Sequence, residues 1–468
     1  MKNQIVIIVL PLIAAGCVST NPKAAFDDMN KTVVERTGES IQWQNHSTND
    51  VARIVTSLLQ TNLTAQSAVT IALLNNRSLQ AEFGEIGISQ AELAQASRLQ
   101  NIELAGSWRF PNRPPSPTDI EYSAAGNLLD LLTLPARKKI AAKNLAQTKL
   151  QVADKVLQLA ADAQTAFYDL QAETELANRL NIIVDVNDAS ADLAQRQYDA
   201  GNINELELHN QQAPSIQSRL DLMKANAETQ AQREHLNRLL GLSSTHINWR
   251  LAAELSPLPD GELPLENLES LAVNQRLDLA ARRSQVESIA AALRLKKLTR
   301  FIPGATIGVD TERTPDGQRV TGPTLDLELP LFDQGQPAVA RLTAEFEQAK
   351  DNYAAQELNA RSEVREWHTA MLAAREAVTF AQKNLLPLRK QILGETLLHY
   401  NAMQKNSFDL LMAKEREQNA EQTSIAALRD YWIARVELER ALGGRLTIQT
   451  KATTPVKDSE QMPNEHKH

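Results

Sequence analysis

Any chemistry on this chain must come from one thiol, eight imidazoles and 57 acidic side chains, and their spacing builds no catalytic centre. No pair of histidines stands four apart on a helix beside a glutamate, the arrangement that holds zinc and a general base in a metalloprotease. No glycine-rich loop leads into Lys-Ser or Lys-Thr to cradle a nucleotide phosphate. Glu465, His466 and His468 offer a loose metal grip at most, and a solvated tail is the better reading. No enzyme, metal or cofactor is therefore expected. The single cysteine, Cys17, excludes a disulfide framework and a thiolate metal site. The chemistry left to it is acylation.

The residues before Cys17 fit that chemistry. Lys2 gives a positive start, Ile5 to Ala15 an apolar run too short to span a bilayer, and Ala14-Ala15-Gly16 a small-residue cleavage site. Residues 1–16 read as a signal peptide, and the placement of Cys17 resembles a bacterial lipobox, although Ala14 stands where an aliphatic residue is usual. The plainer alternative is an ordinary signal peptide with an incidental cysteine. Val18 rather than aspartate follows Cys17, which favours the outer membrane. Residues 17–49 read as an extended, lipid-anchored arm. Net charge is −8 and no basic cluster stands out along the chain, so no nucleic-acid partner is expected.

The elements that follow are written twice. Asn75-Asn76-Arg77 recurs about 200 residues later as Asn274-Gln275-Arg276, with Leu79 and Leu279 close behind. Tyr198-Asp199-Ala200-Gly201 recurs as Tyr400-Asn401-Ala402-Met403, and Leu239-Leu240-Gly241 as Ala441-Leu442-Gly443. A unit of this length exceeds any solenoid repeat. Repeat one covers 50–255, a Pro-rich linker 256–264, repeat two 265–444, and a disordered tail 445–468. Each repeat reads as helix, two strands, long helix, turn and helix.

The long helices carry heptad seams. Val152, Val156, Leu159, Ala163, Ala166 and Leu170 step by fours and threes, and so do Ala360, Val364, Trp367, Met371, Ala374, Val378 and Ala381. From Ala136 to Ala200 the sequence is compatible with one helix on the order of 100 Å long. Pro387 interrupts the second seam and predicts a bend. The strand pairs, 102–110 with 119–129 and 304–312 with 319–329, are of membrane-strand length. Ile307 and Val309, like Leu325 and Leu327, alternate with polar residues. Soluble hairpins on a coiled coil are the alternative. Four strands cannot close a transmembrane barrel, which needs ~8 or more, and open edges are not tolerated in lipid. If the strands enter a membrane, several copies must share one barrel. Trp108 would suit an interfacial aromatic girdle.

Ala72 to Leu79, its partner ending Leu277-Asp278-Leu279, the Leu329-Pro330-Leu331-Phe332-Asp333-Gln334-Gly335 junction, the Tyr198–Gly201 turn and the paired Leu-Gly endings occur in order, behind the lipobox. Together they resemble the TolC-like outer-membrane efflux proteins, in their lipid-anchored branch, from Asp50 to Gly444. The resemblance implies a mainly α fold with a small membrane β-barrel part. A homotrimer would form a twelve-stranded barrel continued as a long α-helical coiled-coil tunnel into the periplasm of a Gram-negative bacterium. It implies an exit duct in contact with outer-membrane lipid, with a periplasmic adaptor and an inner-membrane pump as partners. The alternative is a periplasmic coiled-coil lipoprotein scaffold without a pore, which would not need membrane-length strands with apolar alternate faces.

Two departures from that pattern bear on the site. Leu131-Leu132-Thr133-Leu134-Pro135 replaces an aspartate-phenylalanine-glycine run at the first strand-to-helix junction, with Asp130 nearby. Met403 replaces the glycine at 201, so Asn401 or Asn406 is expected to take the left-handed position instead. Tyr198, Gly201, Tyr400 and Met403 would then mark the helix tips. Among the acids near them, Asp199, Glu205 and Asp409 are the gate candidates, with Asp185, Asp188 and Glu395 close by.

Overall fold

The computed structural model describes residues 18–43, 48–110, 112, 118–243, 247–252, 254–259, 267–302, 304–314 and 316–445. Cys17, the leader, most of the linker and the tail beyond Arg445 lie outside them. Repeat one contains α2 (Thr48–Leu59), α3 (Ala65–Asn75), α4 (Arg77–Ala96), β1 (Glu103–Arg109), β2 (Asp119–Asn127), α5 (Leu128–Asp199) and α6 (Glu205–Leu240). Repeat two contains α7 (Leu268–Gln275), α8 (Leu277–Thr299), β3 (Ala305–Arg313), β4 (Arg319–Leu327), α9 (Gln336–Phe380), α10 (Leu386–Asn401) and α11 (Ser407–Ala441). Before them stands α1 (Lys23–Thr37), where an extended arm is expected from the sequence. Ala25, Phe26, Met29 and Val33 form its buried stripe, and Phe26 meets Phe83 edge-on at 5.2 Å. Phe26, Met29 and Val33 each contribute ~1.5–3 kcal/mol of apolar transfer free energy, enough to dock a helix this short.

The α5 helix runs 72 residues without a break, on the order of 100 Å. It begins at Leu128, directly after β2, rather than at Ala136. Asn127 caps it by accepting from the Asp130 amide at 3.1 Å. Pro135 lies inside it, only a turn or two from the cap. Three shorter helices lie along it: α3 and α4 before it in the chain, with Ser89 of α4 bonding Thr148, and α6 after it, with Ser215 bonding Asp188 and Thr229 bonding Glu173. Repeat two repeats the plan with α9 and α10 as the long rod. There the bend expected at Pro387 is a π-helical turn at Ala381–Leu385, where the Leu386 amide bonds the Ala381 carbonyl. Widening the helix by one residue accommodates the proline, which has no N–H to give.

The heptad seams are the core. Val152, Val156, Ala163, Ala166 and Leu170 are buried in one cluster with Phe83, Leu236 and Leu240. Val364, Met371 and Val378 are buried in a second with Leu428, Tyr431 and Leu438. Tyr168 stacks on Trp432 at 5.4 Å and joins the two. Beyond Ala381 the second seam emerges, and α10 has no buried residue. Among the described residues no helix is long and apolar enough to cross a membrane.

Candidate functional site

The four strands form one antiparallel sheet in the order β1-β2-β3-β4, each about the length expected and displaced by at most two residues at its ends. The repeats meet at β2 and β3, through Tyr122 opposite Thr311 and Ala124 opposite Val309. Residues directly opposite share a face, so the register sorts every side chain. One face carries Leu104, Trp108, Ile120, Tyr122 and Ala124 from repeat one. Repeat two adds Ile307, Val309, Leu325 and Leu327 to that face, with Thr311, Thr321, Arg313 and Arg319 on it towards the β3–β4 turn. The other face carries Glu103, Asp119, Glu121, Asp310, Glu312 and Asp326, with Arg109 as its one cation. Arg109 reaches Asp119 at 3.3 Å and Glu121 at 2.9 Å. The apolar face is open: Ile307 is 52% exposed and Leu325 60%. Trp108 and Tyr122 pack edge-on at 5.7 Å near its outer end. β1 and β4 are both edges, with ladder groups unpaired by any other described strand.

The repeated motifs turn out to be one joint, made twice. The side-chain amide of Asn75 donates to the carbonyls of Leu240 and Gly241 at 2.9 and 2.8 Å, and that of Asn76 to Leu239 at 2.9 Å. Asn76 also caps α4 by accepting from the Leu79 amide at 3.0 Å. The end of α6 is thus clasped against the break between α3 and α4. Gly241, at φ 65°, sits so close that a Cβ would lie 2.6 Å from the Asn75 carbonyl oxygen. At the second joint Gly443, at φ 86°, faces the backbone of Gln275 and Arg276. Asn75 therefore corresponds to Gln275, and Asn76 to Arg276. The sequence match of Asn75 with Asn274 is one residue out of register, because letter identity outweighed the helix break that fixes the geometry.

Arg276 brings different chemistry. Its buried guanidinium holds Asp278 at 3.0 and 2.7 Å and pairs with Glu363 on α9. Burial acts to raise the Asp278 carboxyl. The hydrogen bond and charge of Arg276, with a bond from Gln356, override it and hold Asp278 below the usual carboxylate range. Across on α5, burial with Asp278 nearby pushes Asp154 up to about 6.

At the far end both turns close alike. Gly201 takes φ 73°, its amide bonds Tyr198 at 2.8 Å, and Asn202 bonds Gln197 at 2.8 Å. Met403 takes φ 59°, bonding Tyr400 at 2.9 Å, and Gln404 bonds His399 at 2.8 Å. The expectation that Asn401 or Asn406 would take over is incorrect: Asn401 ends α10, and Asn406 is the cap of α11. Met403 accepts the left-handed strain because its side chain is 95% exposed and meets no steric opposition. Tyr198 and Tyr400 are partly exposed beside these turns.

The gate candidates differ in what they do. Asp199 ends α5 and accepts from Gln195 at 2.9 Å. Glu205 opens α6 and is exposed. Asp409 belongs to the capping box of α11 with Asn406 and lies 3.8 Å from Lys405. Higher up, Asp188 binds Arg219 at 2.8 Å and Ser215 at 2.5 Å, and these bonds lower its pKa. At the opposite junction, Asp130 accepts from the Gln100 amide at 2.9 Å and pairs with Arg137 at 2.6 Å, fixing the start of α5 against the entry to β1. A strand reading of residues 128–129 hides that role.

Paired helical hairpins, a four-stranded sheet at one end and tight turns at the other constitute the fold of the TolC-like outer-membrane efflux channels. No protein-family model matches the chain. Over 389 residues the chain is 21% identical to the cobalt-zinc-cadmium resistance protein CzcC of Cupriavidus metallidurans, covering 81% of this chain and 90% of that protein. The Campylobacter jejuni CmeC outer membrane channel superposes with a TM-score of 0.69 at 17% identity, over 87% of this chain and 89% of that one. CusC, solved in structures that address folding and transmembrane channel formation, superposes at 0.67 and 17% identity, over 81% and 92%.

Proposed function

We propose that this chain is the outer-membrane exit duct of a tripartite efflux system, passive and without enzymatic activity. The observation that carries this reading is the sheet, apolar on one face, acidic on the other and open at both edges. A sheet of this kind is satisfied in lipid when β1 of one copy pairs with β4 of the next. Three copies give twelve strands, with the apolar face towards lipid and the acidic face lining a lumen that favours cations. The helical hairpins continue below it into the periplasm, where an adaptor and an inner-membrane pump supply cargo and energy. The kinship with CzcC fits a metal-cation cargo. The tips around Gly201 and Met403 form the closable end. Asp199 and Glu205 are its candidate ring of carboxylates, whereas Asp409 is already committed to its helix cap.

Anchoring at Cys17 fits the same picture. Val18 packs against the core, and Ser19 accepts from Gln90 of α4 at 2.6 Å, a few turns below β1. An acylated cysteine one residue earlier has its chains close to the membrane. Cys17→Ser should abolish incorporation of labelled fatty acid; equal labelling of both proteins rules the anchor out. Arginine at Ile307 or Leu327 should cost ~2–4 kcal/mol in a lipid-embedded barrel. The assembled trimer on a semi-native gel should then be lost, while Thr306→Arg and Asp326→Arg are tolerated. Full assembly of all four variants would contradict the barrel.

A further inference from the structure

Two helices meet the sheet with the same order of side chains. α5 leaves it with Leu131 and Leu132 exposed, followed by exposed Lys138 and Lys139. α8 approaches it with exposed Arg294 and Lys297, followed by Leu298 and Phe301. On α5 the cations stand ~10 Å farther from the sheet than the leucines, and on α8 Arg294 stands ~6 Å farther than Leu298, at ~1.5 Å per residue; Lys297 directly precedes Leu298, and Arg300 packs over the Phe301 ring at 4.3 Å. The helices run antiparallel and in contact, with Ser284 donating to the Lys143 carbonyl at 3.1 Å and Ser288 to the Asn144 side chain. Arg294 and Lys297 therefore lie level with the first turns of α5. No Asp or Glu occurs from 131 to 153 or from 288 to 309, on a chain whose net charge is −8. Neighbouring Arg137 and Lys143 are paired with Asp130 and Glu287. Lys138, Lys139, Arg294 and Lys297 have no carboxylate partner among the described residues, and folding gathers them into a basic band that the linear sequence leaves scattered.

We propose that this band is a docking surface for the anionic phospholipid headgroups of the leaflet nearest the helices. The inference rests on the exit-duct reading. Long cationic side chains next to lipid-level apolar groups extend their charge to the phosphates while their stems stay in the acyl boundary. The two basic pairs do this from separate repeats, so a trimer presents six such pairs as a collar. Exposed apolar groups next to the sheet, bordered by cations unpaired among the described residues on stretches without a carboxylate, select an anionic lipid surface as the occupant.

The test uses native mass spectrometry of the intact full-length protein released from vesicles of phosphatidylglycerol and phosphatidylcholine. The wild type should retain phosphatidylglycerol in roughly fivefold preference, falling with added salt. The Lys138→Gln, Lys139→Gln, Arg294→Gln, Lys297→Gln variant should remain a trimer and retain the two lipids about equally, while Lys224→Gln on α6 keeps the preference. Equal retention by the wild type, or an unchanged preference in the quadruple variant, overturns the proposal. Displacement of the lipid by millimolar inorganic phosphate also overturns it, in favour of a soluble-anion site. Loss of the trimer in the quadruple variant with preference intact assigns the band to contacts between copies and overturns it too. A protein that fails to insert contradicts the duct itself; an inserted trimer without lipid preference contradicts only the headgroup surface.

Discussion

The two helix joints have the same backbone and opposite side-chain chemistry. In repeat one, neutral amides of Asn75 and Asn76 bind the carbonyls at the end of α6. In repeat two, Arg276 occupies the place of Asn76 and turns away from the end of α11, towards Asp278 and Glu363. What both keep is a glycine at positive φ pressed on the helix break, Gly241 and Gly443. The joint is therefore specified by backbone approach, and the side chains over it are free to differ. The consequence is electrostatic: the clasp of one joint is made of neutral amides and that of the other of an ion pair.

The largest effect should follow from breaking the charged joint. Arg276→Met leaves Asp278 and Glu363 without their cation and should cost about 3 kcal/mol, read as a lowered thermal midpoint. Asn76→Ala removes a cap and a clasp and should cost about 1 kcal/mol. Acid should separate the two. Asp278 has a depressed pKa, so its contribution is present above the ordinary carboxylate range and is lost as pH falls through the folded value. The penalty of Arg276→Met should therefore shrink below about pH 4, whereas that of Asn76→Ala stays constant. A pH-independent penalty for both would show that the clamp acts by packing alone.

Asp154 sharpens the comparison from the opposite sign. With its pKa raised to about 6, the folded state binds a proton that the unfolded chain releases, so stability falls as pH rises from about 4 to 6. Asp154→Asn should stabilise by about 2 kcal/mol at neutral pH and by nothing below pH 4. A constant difference across that range would contradict the buried charge. At the tips the effect matches that of the Asn76 cap in size and opposes it in sign: Met403→Gly should relieve left-handed strain of about 1 kcal/mol, with a matching rise in unfolding midpoint and no change in oligomeric state.

The periods of the sequence translated directly into structure where burial is regular. Alternation at Ile307, Val309, Leu325 and Leu327 located two strands and put these residues on one face. The four-three stepping from Val152 to Leu170 found the buried side of α5. Legibility failed where local identity competed with geometry. Asn75 matched Asn274 by letter although the helix break aligns it with Gln275. Residues 128–129 continued a strand-like apolar run, yet the Asn127 cap and Asp130 commit them to helix. The stripe of Phe26, Met29 and Val33 is too short to rise above its polar neighbours. Met403 sits where a sequence rule demands glycine, because an exposed side chain at a tip meets no other opposition than intrinsic strain.

The central claim is that the sheet separates lipid from lumen, and thiol accessibility tests it most directly. Single cysteines at Val309, Leu325, Asp310 and Thr324 would be placed in the membrane-assembled protein, on alternate faces by the β3–β4 register. A membrane-impermeant maleimide should label Asp310→Cys and Thr324→Cys and spare Val309→Cys and Leu325→Cys. A fluorophore attached after denaturing and refolding should be quenched by brominated lipid only at the latter two. Equal labelling of all four positions would contradict the account, because both faces would then be in water.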